Sequence, residues 1–74
     1  MHYPVRMDIC EAIGARVRSE REAQGISQSR FAAMVGVDQT YLSRLEQGRG
    51  NPTIRTLAKI AKGLGLEVGD LVDF

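Results

Sequence analysis

Cysteine is almost missing from this chain: Cys10 stands alone among 74 residues. A single thiol closes no internal disulfide and builds no cysteine-based zinc site. Its place beside Ile9 in an apolar helical pattern predicts a small buried hydrophobe rather than a redox sensor. Histidine is as scarce. His2 is the sole one and has no ligating neighbours in sequence, so no metal role is expected. Long apolar runs are missing too: no stretch reaches membrane-spanning length, and no charged-then-apolar leader opens the chain. These absences predict a soluble, cytoplasmic protein. There is no phosphate loop, no metal-ligand cluster and no room for a sizeable pocket. The acids Glu20 and Glu22 read as surface charges rather than a catalytic pair. An enzyme is not expected, and no cofactor is expected. No alternating strand pattern, internal repeat or low-complexity run occurs. A strong charge excess is also lacking: ten Lys/Arg against nine Asp/Glu leave +1, so net charge alone does not mark a nucleic-acid binder.

What is present is a small helical domain. A chain of this length buries only ~60% of its unfolded surface, so its core is small. Hydrophobic residues make up 43%, in keeping with a globular fold. Charge is segregated. From Gly48 to Gly63 the chain carries Arg49, Arg55, Lys59 and Lys62 and no acid, whereas the last eight residues carry Glu67, Asp70 and Asp73 and no base. That distribution predicts a basic face opposite an acidic end.

The organising stretch is Ile26 to Gly48, ISQSRFAAMVGVDQTYLSRLEQG. Ser27 is placed to N-cap a helix, with Ile26 and Phe31 at hydrophobic-staple spacing. Gly36 ends that helix, because glycine enters the left-handed region without steric cost. Asp38 caps the next, with Val37 and Leu42 again at staple spacing, and Gly48 closes it. Two helices joined this tightly form a helix-turn-helix. The second has two faces. Leu42, Leu45 and Glu46 share one side. Gln39, Thr40, Ser43, Arg44 and Gln47 share the other, which has no carboxylate. Glutamine bonds bidentately to adenine and arginine to guanine in the major groove.

The residues REAQG from Arg21 to Gly25, SQ at Ser27 and Gln28, FA at Phe31 and Ala32, VGV from Val35 to Val37, and YLSRLEQG from Tyr41 to Gly48 form an ordered set. NPT at Asn51 to Thr53 and TLAKIAKGLGL from Thr56 to Leu66 continue it. Together they resemble the Cro/C1-type (Xre) helix-turn-helix family. The resemblance spans about Ile9 to Val72. It implies an all-α, five-helix lambda-repressor-like domain with the helix-turn-helix at helices 2 and 3. In size the chain is similar to restriction-modification controller proteins.

Residues 1–6 have no helical pattern and contain Pro4, so an extended arm is expected before a domain over residues 7–74. Met7 to Gln24 reads as helix 1, with Asp8 at the end favoured by the dipole. Ile9, Ile13 and Val17 form an apolar stripe at i+4 whose next member is Arg21. A guanidinium in line with core residues needs a partner. Glu46, on the apolar side of its own helix, is the candidate, and the family implies the same ion pair. Gly25 ends helix 1. Glu20 occupies a place often apolar in the family, which predicts a wetter face. Arg30 stands where the capping box wants an acid, so helix 2 keeps half a box; its side chain reads as either phosphate-directed or solvated. Thr53 caps helix 4, Pro52 and Leu57 form its staple, and Ile54, Leu57, Ala58, Ile60, Ala61 and Leu64 are its apolar side. Gly63 and Gly65 are expected to break it. A short fifth helix starts near Glu67, flanked by Leu66 and Leu71.

The resulting expectation is a double-stranded-DNA-binding transcriptional regulator, a repressor or autoregulator, that reads the major groove with helix 3. Gln39, Thr40 and Arg44, with Ser43 as a weaker candidate, are the expected base contacts. Gln28, Tyr41, Gln47, Arg49 and Asn51 are the expected phosphate contacts, Gln28 because the start of helix 2 favours an anion and the family uses glutamine there. For Tyr41, a packing role for the ring stands beside a phosphate role for the hydroxyl. Arg16 and Arg18 are expected to face solvent. One such domain buries ~600–1,000 Å², which predicts a homodimer on a near-palindromic site. Val68, Val72 and Phe74 are the candidate dimer surface; for Phe74, folding back onto its own core stays open. Two other readings share the fold: an antitoxin whose main partner is a toxin protein, and a protein-interaction adapter.

Overall fold

The computed structural model describes residues 8–72. They form α1 (Ile9–Ala23), α2 (Gln28–Val35), α3 (Gln39–Glu46), α4 (Ile54–Leu64) and α5 (Val68–Leu71), with no strand among them. The expected arm and Phe74 lie outside the described residues.

Each helix begins at a side chain that satisfies a free backbone donor. Asp8 Oδ1 accepts from the Glu11 amide at 2.8 Å, and Glu11 reaches back to the Asp8 amide at 3.1 Å, a full capping box. Ser27 Oγ accepts from the Arg30 amide at 3.2 Å and the Arg30 side chain does not reciprocate, so α2 has half a box. Asp38 accepts from the Thr40 amide and Thr53 from the Thr56 amide. At α5 the Asp70 carboxylate accepts from the Glu67 amide at 2.9 Å. Between α2 and α3, Gly36 takes φ +74°, which turns the chain within three residues.

The core is built from one face of each helix. Val17, Phe31, Leu42, Ile60 and Leu71, one from each helix in turn, are its fully buried centre. Ile26, Val37 and Leu66, the residues just before the caps of α2, α3 and α5, close over it. Each ties the incoming chain to the core and so fixes the angle at which its helix departs. Gly14 lets α1 lie against the α3 backbone: a β-carbon there would run into the Leu45 carbonyl.

Four expectations from the sequence need correction. Ile9 is half exposed, and the buried end of α1 is Ala12, Ile13 and Gly14. A row of i+4 positions drifts ~40° per step around a helix, so two steps from Val17 carry Ile9 off the core side. Ile54, at the first position of α4, is 70% exposed because that end of the helix runs past the core, and Ala58, ~100° around from Leu57, is exposed as well. Gly63 does not break α4 but sits inside its last turn, where any side chain would meet Val35 and Phe31; Gly65 is the stop, at φ +76°. Cys10 is only half-buried, and its thiol donates to Asn51 Oδ1 at 3.6 Å.

Candidate nucleic-acid interface

Helix α3 is held from behind. Leu42 and Leu45 of α3 enter the core, and Glu46 is buried beside them. Arg21 of α1 meets Glu46 in a two-pronged pair: Nε donates to Oε2 at 2.7 Å and Nη2 to Oε1 at 2.9 Å. The side chains are 9% and 3% exposed, so water screens the pair weakly. The hydrogen bonds from Arg21 to Glu46 hold the guanidinium above its ordinary pKa, against the lowering effect of burial; the carboxylate charges of Glu46 and then Glu22 add to the rise. Arg21 Nη1 also donates to the Ile26 carbonyl, and Gln28 Nε2 donates to Glu46 Oε1 at 3.1 Å. No buried side-chain nitrogen or oxygen among the described residues lacks a partner, so the charges are inside without being stranded.

With that face buried, α3 turns Gln39, Thr40, Arg44 and Gln47 outward, and Ser43 lies half-buried between them. Gln28, Gln39, Thr40, Ser43, Arg44, Gln47 and Arg49 line one open concavity. A second adjoins it, sharing Arg44 and Arg49 and adding Tyr41, Leu45, Gly50, Asn51 and Pro52. All nine residues expected to contact DNA therefore line two connected surfaces, and neither surface includes a carboxylate. Two acids lie nearby: Asp38 spends its carboxylate on the Thr40 amide, and Glu46, which borders Gln28, Ser43 and Gln47, is paired with Arg21. Gln47 Nε2 donates to Ser43 Oγ at 3.2 Å, which orders two polar side chains one turn apart. Arg44 and Arg49 form no ion pair among the described residues.

The other arginines of this side are occupied along α1. Arg16 pairs with Glu20 and Arg18 with Glu22, each at 3.1 Å and i,i+4 spacing. Glu20 thus sits in the position expected to be wetter with a partner of its own. Tyr41 is 40% exposed and borders the loop residues Asn51 and Pro52. Of the residues expected at a dimer surface, Val68 is half-buried and packs against the core, and Val72 is 38% exposed. Sequence reasoning missed the bonds from Arg21 to Ile26 and from Gln28 to Glu46. The second carried no signal of its own, since two residues eighteen apart meet only through tertiary packing. Among the described residues no helix is long and apolar enough to cross a membrane, and no group of three or more potential metal ligands occurs.

Comparison with known proteins agrees with this geometry. The Helix-turn-helix family model matches residues 17–71. The HTH-type transcriptional regulator y4dJ of Sinorhizobium fredii is 39% identical over 66 residues, covering 89% of this chain and 86% of that protein. The restriction-modification controller protein C.AhdI from Aeromonas hydrophila superposes with a TM-score of 0.81 at 32% identity, covering 84% of this chain and 94% of the other. SinR, a master regulator for biofilm formation solved in complex with DNA, does so with a TM-score of 0.78 at 37% identity, covering 82% and 98%. A buried arginine–glutamate clasp, a three-residue turn and a carboxylate-free helix face thus occur in a chain that belongs to the Cro/C1-type (Xre) helix-turn-helix family of transcriptional regulators.

Proposed function

We propose that this protein binds double-stranded DNA in a sequence-specific way, as a homodimer, and represses or autoregulates transcription from its site. The observation that carries the reading is the acid-free surface over α3 and the start of α2. A solvated helix face ordinarily mixes both signs of charge; this one offers amides, hydroxyls and two guanidiniums that form no ion pair among the described residues.

In this reading α3 lies in the major groove. Arg44 forks onto a guanine, Gln39 pairs with an adenine, and Thr40 and Ser43 take neighbouring base edges. Gln28, at the positive end of α2, binds a phosphate on one side. Tyr41, Gln47, Arg49 and Asn51 bind phosphates on the other and set the register. Two copies on a near-palindromic site would present their reading helices about one duplex turn, ~34–36 Å, apart. The cytoplasm is where such a regulator works.

Selection of bound DNA from a random pool tests all of this together. The expected product is a near-palindrome with half-sites about ten base pairs apart. A pool that yields no motif removes the sequence-specific reading. Pull-down of a coexpressed toxin protein favours the antitoxin reading instead.

A further inference from the structure

The Arg21–Glu46 pair reaches beyond the junction of α1 with α3. Arg21 Nη1 donates at 2.6 Å to the carbonyl of Ile26, the residue just before the Ser27 cap. Glu46 Oε1, already bonded to Arg21, accepts the Gln28 amide nitrogen as well. One buried pair therefore holds the beginning of α2 twice, by its backbone and by its first side chain. The same pair is fixed to the back of α3, whose front carries Ser43, Arg44 and Gln47.

A carboxylate accepts and cannot donate, so it dictates which end of a neighbouring amide turns inward. At Gln28 that end is the nitrogen. The nitrogen carries two hydrogens; Glu46 takes one and the second is left for an anion at the start of α2. An amide released from Glu46 is free to rotate and offer its oxygen, which a phosphate repels. We infer that Glu46 is a positioning residue for DNA: it orients Gln28 and, with Arg21, fixes the offset between the phosphate anchor on α2 and the base-reading side of α3. This rests on the DNA-binding reading above. Its distinct content is that the anchor and the reading helix are energetically coupled through a residue that touches no nucleotide.

Two measurements test it. In the free wild-type protein, NMR is expected to show one Gln28 side-chain amide proton shifted downfield of the exposed Gln39 side-chain amide and exchanging more slowly with water. Gln28 side-chain protons with the shifts and exchange rates of the exposed Gln39 amide overturn the proposal, and this arm needs neither DNA nor a variant. The second is a double-mutant cycle of Q28A and E46Q on the selected site, with folding of each variant checked by circular dichroism. E46Q keeps the shape but leaves one acceptor oxygen, which Arg21 takes. Q28A is expected to weaken binding about tenfold in the wild-type background and less than about twofold in the E46Q background. Equal losses in both backgrounds overturn the coupling while leaving DNA binding intact. A wild-type protein with no salt-dependent DNA affinity overturns the underlying reading instead. If E46Q does not fold, the amide-proton arm decides.

Discussion

Gly14 of α1 lies against the main-chain carbonyl of Leu45 in α3, with no space between them for a methyl group. The approach brings the two helices close enough for Arg21, two turns further along α1, to reach Glu46. The substitution G14A therefore forces the helices apart. It is expected to cost ~1–3 kcal/mol of stability through overpacking, read as a lower urea midpoint with an unchanged slope. G36A is the control. Nothing lies within 4 Å of a β-carbon there, so its cost, ~1–2 kcal/mol, comes only from the left-handed backbone at φ +74°. The two variants should separate in DNA binding measured where both are folded: G14A moves the reading helix and G36A leaves its contacts in place.

The boundaries of this fold were legible because local and tertiary signals agree. Ser27, Asp38 and Thr53 announce their helices by cap chemistry, and the staple residues Ile26, Val37 and Leu66 announce which side faces inward. Arg21 was legible as a buried charge because it continues the line of Ile13 and Val17. The Asp8–Glu11 box is visible in sequence as an acid three residues after a cap, a signal beyond the dipole effect of Asp8 alone. What spacing could not show was where a helix outruns the core, as at Ile9 and Ile54, or where two backbones nearly touch, as at Gly14. These depend on how whole helices cross. The candidate site was legible as a face of α3 and as a list of neighbours. Its cross-links, Gln28 to Glu46 and Cys10 to Asn51, were not.

Removing one side of the buried pair leaves an uncompensated charge, so R21A should lose ~3–5 kcal/mol. Its pH dependence has a definite sign. A folded pKa raised above the unfolded one gives stability that is fully present below the ordinary arginine value and is lost only as pH climbs through the raised value. Nothing from Arg21 titrates between pH 5 and 11. R21K moves that loss down towards the ordinary lysine value of about 10.4. The difference in unfolding free energy between wild type and R21K should therefore be flat from pH 7 to 9 and widen above about pH 10. A constant difference through pH 11 contradicts the assignment.

The two ion pairs along α1 are of another kind. Arg18–Glu22 is more than half exposed at both ends, and Arg16–Glu20 is 39% and 30% exposed. E22A and E20A should each change stability by about 0.5 kcal/mol or less, and 1 M salt should erase the difference. E22A should also strengthen DNA binding slightly if the freed Arg18 reaches a phosphate, and leave it unchanged otherwise; in neither case should sequence preference move.

The central claim, that the acid-free side of α3 reads base sequence while its flanks hold the backbone, is tested most directly by comparing R44A with R49A. Affinity for the selected site and for random duplex is measured by fluorescence anisotropy across a salt series. R44A is expected to lose ~1–3 kcal/mol on the selected site, relax one base position and keep most of its non-specific affinity. R49A is expected to weaken both DNAs alike and to reduce the salt slope by about 1. Retention of full sequence preference by R44A, or an affinity for DNA that does not fall with salt, would contradict the account.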